Sequence, residues 1–224
     1  MIIPSILEPT FEKVVAKIKI IEDVASIIQI DIADDKLVDG KTFLKIEKLD
    51  KVETKAELQL HLMVINPVDF LNKNRKFIPF KTVKIGNVST VFTQLVDPVQ
   101  MKTFTKLAKK LGYKTGVSIN TGQDNKLLDL YIEHMDFAQF MAIVPGKQEN
   151  SFIQAVLPKI TAFKKEHPSI TIQVDGGVND TTLPQILSTG VDNIVIGSAI
   201  FNSENPKEKY REFSKTAHGS SSNY

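Results

Sequence analysis

Short apolar runs alternate with amphipathic stretches along the whole chain, the rhythm of parallel α/β units. Strands are predicted at residues 1–5, 26–32, 57–63, 81–85, 114–119, 137–143, 170–174 and 193–196. Helices are predicted between them wherever apolar residues recur three and four apart. One covers 11–18, with Thr10 as its N-cap. Another covers 98–111, with Asp97 as N-cap, Pro98 at the first helical position and Gly112 as C-cap. A third, 151–165, puts Phe152, Val156, Ile160 and Phe163 on one stripe, with a kink expected at Pro158. Gly190 closes a short helix before the last strand, and a final helix starts near Pro206. This pattern predicts an α/β fold, a single (β/α)8 TIM barrel over 1–216, with an open doubly wound sheet as the competing arrangement. The polar residues 217–224 are expected to form a flexible C-terminal tail.

Strand side chains alternate between two faces. Gln29 and Asp31 therefore share a face, as do Gln59, His61 and Met63, and Gln173 and Asp175. The isoleucines, leucines and Val174 between them point to the helical layer. In a barrel, strand C-termini converge on one mouth, where active sites form. The second and seventh strands lie three steps apart on a ring of eight, so Asp31 and Asp175 can face each other there. Opposed carboxylates suit an acid and a base acting on two faces of one carbon. Each residue also has a plainer reading: a strand-end aspartate entering a turn, and for His61 a core histidine held by a backbone partner.

Gly176-Gly177 and Gly197-Ser198 follow the last two strands, where barrels bind phosphate through backbone N–H groups. Gln29, Gln59, Gln139 and Gln173 each precede a site position by two residues, namely Asp31, His61, Met141 and Asp175. Four inward amides one layer below the mouth predict a mutually hydrogen-bonded polar floor, where branched apolar residues usually stand.

Composition narrows the classes. The chain has 224 residues, 42% hydrophobic and 24% charged, enough for one domain with a large core. Its formal charge of +2, from 28 basic and 26 acidic residues, gives no electrostatic case for nucleic acid or an anionic membrane as partner. Without cysteine, disulfides, zinc–thiolate sites and cysteine nucleophiles are excluded. No apolar run approaches a membrane span, and a cytoplasmic location is expected.

These residues together resemble the ribulose-phosphate 3-epimerase family. The shared blocks are Pro4-Ser5-Ile6-Leu7, Ile30-Asp31-Ile32 with Asp34, His61-Leu62-Met63-Val64 with Asn66-Pro67, Pro145-Gly146 with Ser151-Phe152, Val174-Asp175-Gly176-Gly177-Val178-Asn179, and Gly197-Ser198-Ala199-Ile200-Phe201. The resemblance implies a barrel that binds a sugar phosphate and inverts the carbon beside its ketone. Asp31 and Asp175 would exchange protons with opposite faces of that carbon through an enediolate, converting D-ribulose 5-phosphate to D-xylulose 5-phosphate. Ser5, His61, Met63 and Met141 would surround the substrate, with its phosphate held by Gly146, Gly176, Gly177, Gly197 and Ser198. A divalent metal (Zn, Fe, Mn or Co) is implied on Asp31, His61 and Asp175, and a dimer is the implied assembly.

The chain departs from this family at several points. Gln29 stands at the position of a second metal-binding histidine, and an amide carbonyl is a poor partner for ions that favour imidazole. Lys147-Gln148-Glu149 replace Phe-Gly-Gly; Ala33, Asp35 and Val144 replace a methionine, a glycine and an asparagine. Gln29 is expected to belong to the amide floor and to serve no metal. Other readings stay open: a diverged sugar-phosphate binder with weak or no activity, an allulose-6-phosphate epimerase, or a related phosphate-barrel lyase using Lys84 on the fourth strand.

Overall fold

The computed structural model describes residues 1–74, 76–78, 81–83, 85–144 and 151–220. In chain order the elements are β1 (Ile2–Ile6), α1 (Phe11–Ile21), β2 (Ile27–Ala33), β3 (Glu57–Met63), α2 (Pro67–Asn74), β4 (Lys76–Ile78), β5 (Lys81–Val83), β6 (Val88–Gln94), α3 (Pro98–Lys110), β7 (Gly116–Ile119), β8 (Phe137–Met141), α4 (Val156–Glu166), β9 (Thr171–Asp175), α5 (Leu183–Leu187), β10 (Asn193–Ile196), α6 (Ser198–Phe201) and α7 (Pro206–Ser220). Short 3₁₀ turns lie between β2 and β3 and between β7 and β8. Eight parallel strands close into a barrel in the order β1-β10-β9-β8-β7-β6-β3-β2. The fold is the (β/α)8 TIM barrel that the alternation of elements predicts.

Capping follows the sequence. Thr10 Oγ1 accepts from the Lys13 backbone N–H at 3.4 Å, and Asp97 Oδ1 accepts from those of Val99 and Gln100, each at 3.0 Å. The main core lies outside the strands, between them and the helices. Ile28, Ile30, Leu58, Leu60 and Val174 bury one strand face against Val14 and Ile18 of α1, Phe104 of α3, Ile160 of α4 and Phe213 of α7. Each such side chain, fully withdrawn from water, contributes about 1.5–3 kcal/mol.

Three expectations need correction. The fourth barrel strand is Val88–Gln94, whereas 81–83 form one arm of an antiparallel ribbon with Lys76–Ile78. Ser89, Thr90 and Thr93 interrupt the apolar run of the true strand, yet Thr93 is fully buried because its hydroxyl donates to the Leu62 carbonyl at 2.7 Å. β6 contains no lysine, and Lys84, on which the lyase reading rests, lies outside the described residues. Secondly, α4 begins at Val156, which places Pro158 in the first turn, where its missing N–H has no helical partner to lose. Thirdly, α7 runs through Ser220 with Ala217 buried, so 217–220 of the expected tail are helical.

Candidate active site

Parallel register sets the chemistry level at the mouth. Asp31 of β2 lies beside His61 of β3, which lies beside Phe92 of β6, and Met141 of β8 lies beside Asp175 of β9. One residue-pair deeper, Gln29 lies beside Gln59, and Gln139 beside Gln173. Barrel closure turns both ranks to a common axis. A cavity at the mouth is lined by Ser5, Asp31, His61, Met63, Met141, Asp175, Gly176, Gly177, Gly197 and Ser198, together with Leu7, Ile143, Val178 and Val195. It gathers every described residue that the sequence marks for catalysis or substrate binding. Gly146 and the replaced loop positions 147–149 lie outside the described residues.

The amide floor is present, and Gln29 is its centre. Its Nε2 donates to Asp31 Oδ1 at 2.8 Å and to Asp175 Oδ2 at 2.7 Å. Its Oε1 accepts from Gln59 Nε2 at 2.9 Å and from Gln173 Nε2 at 3.0 Å. Gln173 also donates to Gln139 Oε1 at 2.6 Å, and Gln139 Nε2 lies 3.3 Å from both Ser118 Oγ and Asp175 Oδ2. Gln29 and Gln139 have no exposed surface, so these amides depend on one another for their hydrogen bonds.

Each carboxylate is thus anchored by one oxygen. Among the described residues, Asp31 Oδ2 and Asp175 Oδ1 make no hydrogen bond, and both aspartates line the cavity, 8% exposed. Burial, then the nearby charge of Asp31, push the Asp175 carboxyl well above the usual carboxylate range, and the Gln29 hydrogen bond only partly opposes them.

His61 Nδ1 faces both acids, 3.3 Å from Asp31 Oδ1 and 3.8 Å from Asp175 Oδ2. Ionised carboxylates only accept, so Nδ1 is the nitrogen that carries hydrogen here. The ring stacks on Phe92 with centroids 4.7 Å apart and planes 4° from parallel. Its Nε2 meets the Gln94 side-chain amide at 3.1 Å. Sequence reasoning misses Gln94 and Phe92, because the fourth strand is read too early. Period-two spacing from Thr90 through Phe92 to Gln94 is the signal that finds them once the strand is placed.

The glycine pair after β9 has φ of 108° at Gly176 and 67° at Gly177. A Cβ on Gly177 would come within 2.8 Å of the Phe152 Cα. No other residue fits that approach. A second cavity, lined by Ser151, Phe152, Asn179, Ala199 and Asn202, adjoins the first through Gly177, Val178 and Ser198.

Asp31, His61 and Asp175 form a candidate metal group, with one ligand atom from each lying within 4.8 Å of the others. The fourth ligand that the family resemblance implies is not matched: at Gln29 an N–H donor, not a lone pair, faces the carboxylates. Three side chains able to ligate a cation are gathered here, but His61 Nδ1 and one oxygen of each carboxylate are held in hydrogen bonds, and Gln29 offers no lone pair.

The model of the Ribulose-phosphate 3 epimerase family matches residues 1–201. A ribulose-phosphate 3-epimerase of Bacillus subtilis is 30% identical over 217 residues, covering 93% of this chain and 95% of that one. The cytoplasmic isoform of the rice enzyme is 29% identical over 225 residues, covering 98% of this chain and 95% of its own. Among solved structures, 3-hexulose-6-phosphate synthase from Salmonella typhimurium superposes with a TM-score of 0.70 at 15% identity, covering 98% of this chain and 99% of that one. KGPDC from Streptococcus mutans gives 0.71 at 12% identity, covering 97% of each chain. At such identities these two show the shared barrel alone. The family model spans most of the chain and the relatives are covered almost end to end: the chain belongs to the ribulose-phosphate 3-epimerase family.

Proposed function

We propose that this enzyme interconverts D-ribulose 5-phosphate and D-xylulose 5-phosphate, with Asp31 and Asp175 as the two proton carriers. The observation that carries the reading is the paired anchoring of the two carboxylates: Gln29 Nε2 holds one oxygen of each, and both side chains line the cavity. In one direction the Asp31 carboxylate takes the proton from C3, and the C–H electrons move into an enediolate. The Asp175 carboxyl then delivers its proton to the opposite face of C3. The epimer leaves with Asp31 protonated and Asp175 ionised, which is the starting state for the reverse reaction. The raised Asp175 carboxyl suits a group that begins as the acid.

His61 Nδ1–H lies beside both acids, where it can bind the oxygen that gains charge as the enediolate forms. Met63 and Met141 wall the reacting carbon with apolar surface that excludes water. Ser5 contacts the sugar. Backbone N–H groups at Gly177, Gly197 and Ser198 take the phosphate.

The test is solvent exchange. In deuterium oxide, turnover should place deuterium at C3 of both ketose phosphates. A protein that binds either sugar phosphate and exchanges nothing would sink the proposal.

A further inference from the structure

We infer that the side-chain amide of Gln29 has taken over the anchoring that a divalent metal would give the two carboxylates, so that this site works without a bound cation. The inference deepens the epimerase reading and rests on it for what the site does, although the anchoring itself is read from geometry alone.

Four hydrogen bonds fix which way the amide points. Its two N–H bonds are spent on Asp31 Oδ1 and Asp175 Oδ2, at 2.8 and 2.7 Å. Its carbonyl oxygen has two lone pairs, and both are taken, by Gln59 and Gln173 at 2.9 and 3.0 Å. Offering that oxygen to a cation means turning the amide over. The turned group would set an oxygen against two carboxylates and its NH₂ against two other NH₂ groups. Gln173 cannot easily accommodate this, because it is bound at the same time to Gln139 Oε1 at 2.6 Å. All of these amides are buried, where a mismatched pair costs the most.

Of the remaining donors, His61 Nδ1 and one oxygen of each carboxylate are engaged. His61 Nδ1 would have to lose its hydrogen to ligate an ion, yet it faces Asp31 Oδ1 at 3.3 Å, and its ring is held flat on Phe92. Ions that favour imidazole would find one such ring, already hydrogen-bonded, and two carboxylate oxygens already occupied. Gln139 Nε2 adds another N–H beside Asp175 Oδ2, at 3.3 Å. Partial positive charge from these amide donors therefore lies where a cation would otherwise lie between the acids. Gln29 is on this account a positioning residue: it touches the two acids, and through them sets where the proton leaves and arrives.

The decisive measurements use the purified full chain. After dialysis against Zn²⁺, Mn²⁺ or Co²⁺ and then metal-free buffer, elemental analysis should find well under one ion per chain. Deuterium exchange at C3 should persist in a strong chelator. Gln29→His should behave in the opposite way: one Co²⁺ per chain, the visible absorption of a nitrogen-ligated cobalt site, and exchange that a chelator abolishes and added metal restores. A purely structural glutamine would not create such metal dependence when replaced.

The inference is overturned if the unaltered protein retains one ion per chain and loses it on Asp175→Asn, or if a chelator stops exchange and a metal restores it. Should Gln29→His fail to fold, the unaltered protein decides the matter by the same two measurements. Absence of exchange from every ketose phosphate, with or without metal, would instead remove the epimerase reading, and metal content would still be decided by the dialysis.

Discussion

His61 lies flat against Phe92, their ring centroids 4.7 Å apart and the planes only 4° from parallel. A stacked imidazole cannot rotate without breaking that contact, so Phe92 sets the direction of Nδ1 towards Asp31. Phe92→Leu should lower turnover by about a hundredfold, the scale of a 1 Å misplacement. Loss of the ring–ring contact should cost about 1 kcal/mol of stability. Steady-state kinetics beside denaturant unfolding would check both, and unchanged turnover would show that the ring needs no such support.

The two aspartates should fail in different ways. Asp31→Asn and Asp175→Asn should each lower epimerisation by about 10²–10⁴-fold, the usual contribution of a positioned acid or base. Phosphate binding should survive in both. Each variant should still exchange the C3 proton of one epimer with solvent, because one carboxylate remains. Nuclear magnetic resonance of each epimer incubated in deuterium oxide reads this directly; full epimerisation by either variant would refute the assignment.

Stability should carry the mark of Asp175. Its carboxyl is pushed above the usual range by burial and by Asp31, so between the ordinary carboxylate value and the raised one the folded chain binds more protons than the unfolded chain. The resulting stabilisation is fully present below the ordinary value and is lost as pH rises through the raised one. Unfolding curves across a pH series should show this fall, and Asp175→Asn should flatten it.

Gln173 has one nitrogen and two carbonyl oxygens to serve, those of Gln29 at 3.0 Å and Gln139 at 2.6 Å. Gln173→Leu keeps the bulk and leaves both oxygens without that donor. A loss of about 1–3 kcal/mol per orphaned group is expected. Turnover should fall as well, although Gln173 does not line the mouth cavity. A stable and fully active variant would show that the floor is not one coupled unit.

At Gly177 any side chain meets the Phe152 backbone, and φ of 67° disfavours all but glycine. Gly177→Ala should raise KM for a ketose phosphate much more than it changes kcat, and should weaken inorganic phosphate as a competitor. Equal affinity for phosphate in the two proteins would place the anion elsewhere.

Much of this site is legible before any coordinates. Period-two alternation is enough to put Gln29, Asp31, Gln59, His61, Gln173 and Asp175 inside a barrel, and strand ends are enough to put the acids and the histidine at its mouth. What alternation does not carry is the way distant strands meet. The Gln29–Asp175 hydrogen bond joins residues 146 positions apart, and the direction of each amide follows from all of its neighbours at once. Polar content hides β6 for a related reason. Thr93 and the Gln94 nitrogen are buried against partners on the neighbouring β3, the Leu62 carbonyl and His61, and a hydropathy reading sees only their polarity.

Asp35 shows the converse. A glycine is expected there by resemblance, and the chain keeps the backbone that glycine would serve: among the described residues Asp35 alone has positive φ without being glycine, at 60°. Aspartate tolerates that conformation better than most residues. Its Oδ1 also accepts from the Gly40 backbone N–H at 2.9 Å, which closes the loop locally.

The glutamines beneath the mouth also constrain how this protein can change over generations. Since each amide completes the bonding of the next, a lone exchange in that rank strands its neighbours in a place water does not reach. Change there is least costly in matched sets: a lone histidine at position 29 can gain a cation yet leaves the amides of Gln59 and Gln173 without their acceptor, a loss of stability that exchanges at 59 and 173 would offset.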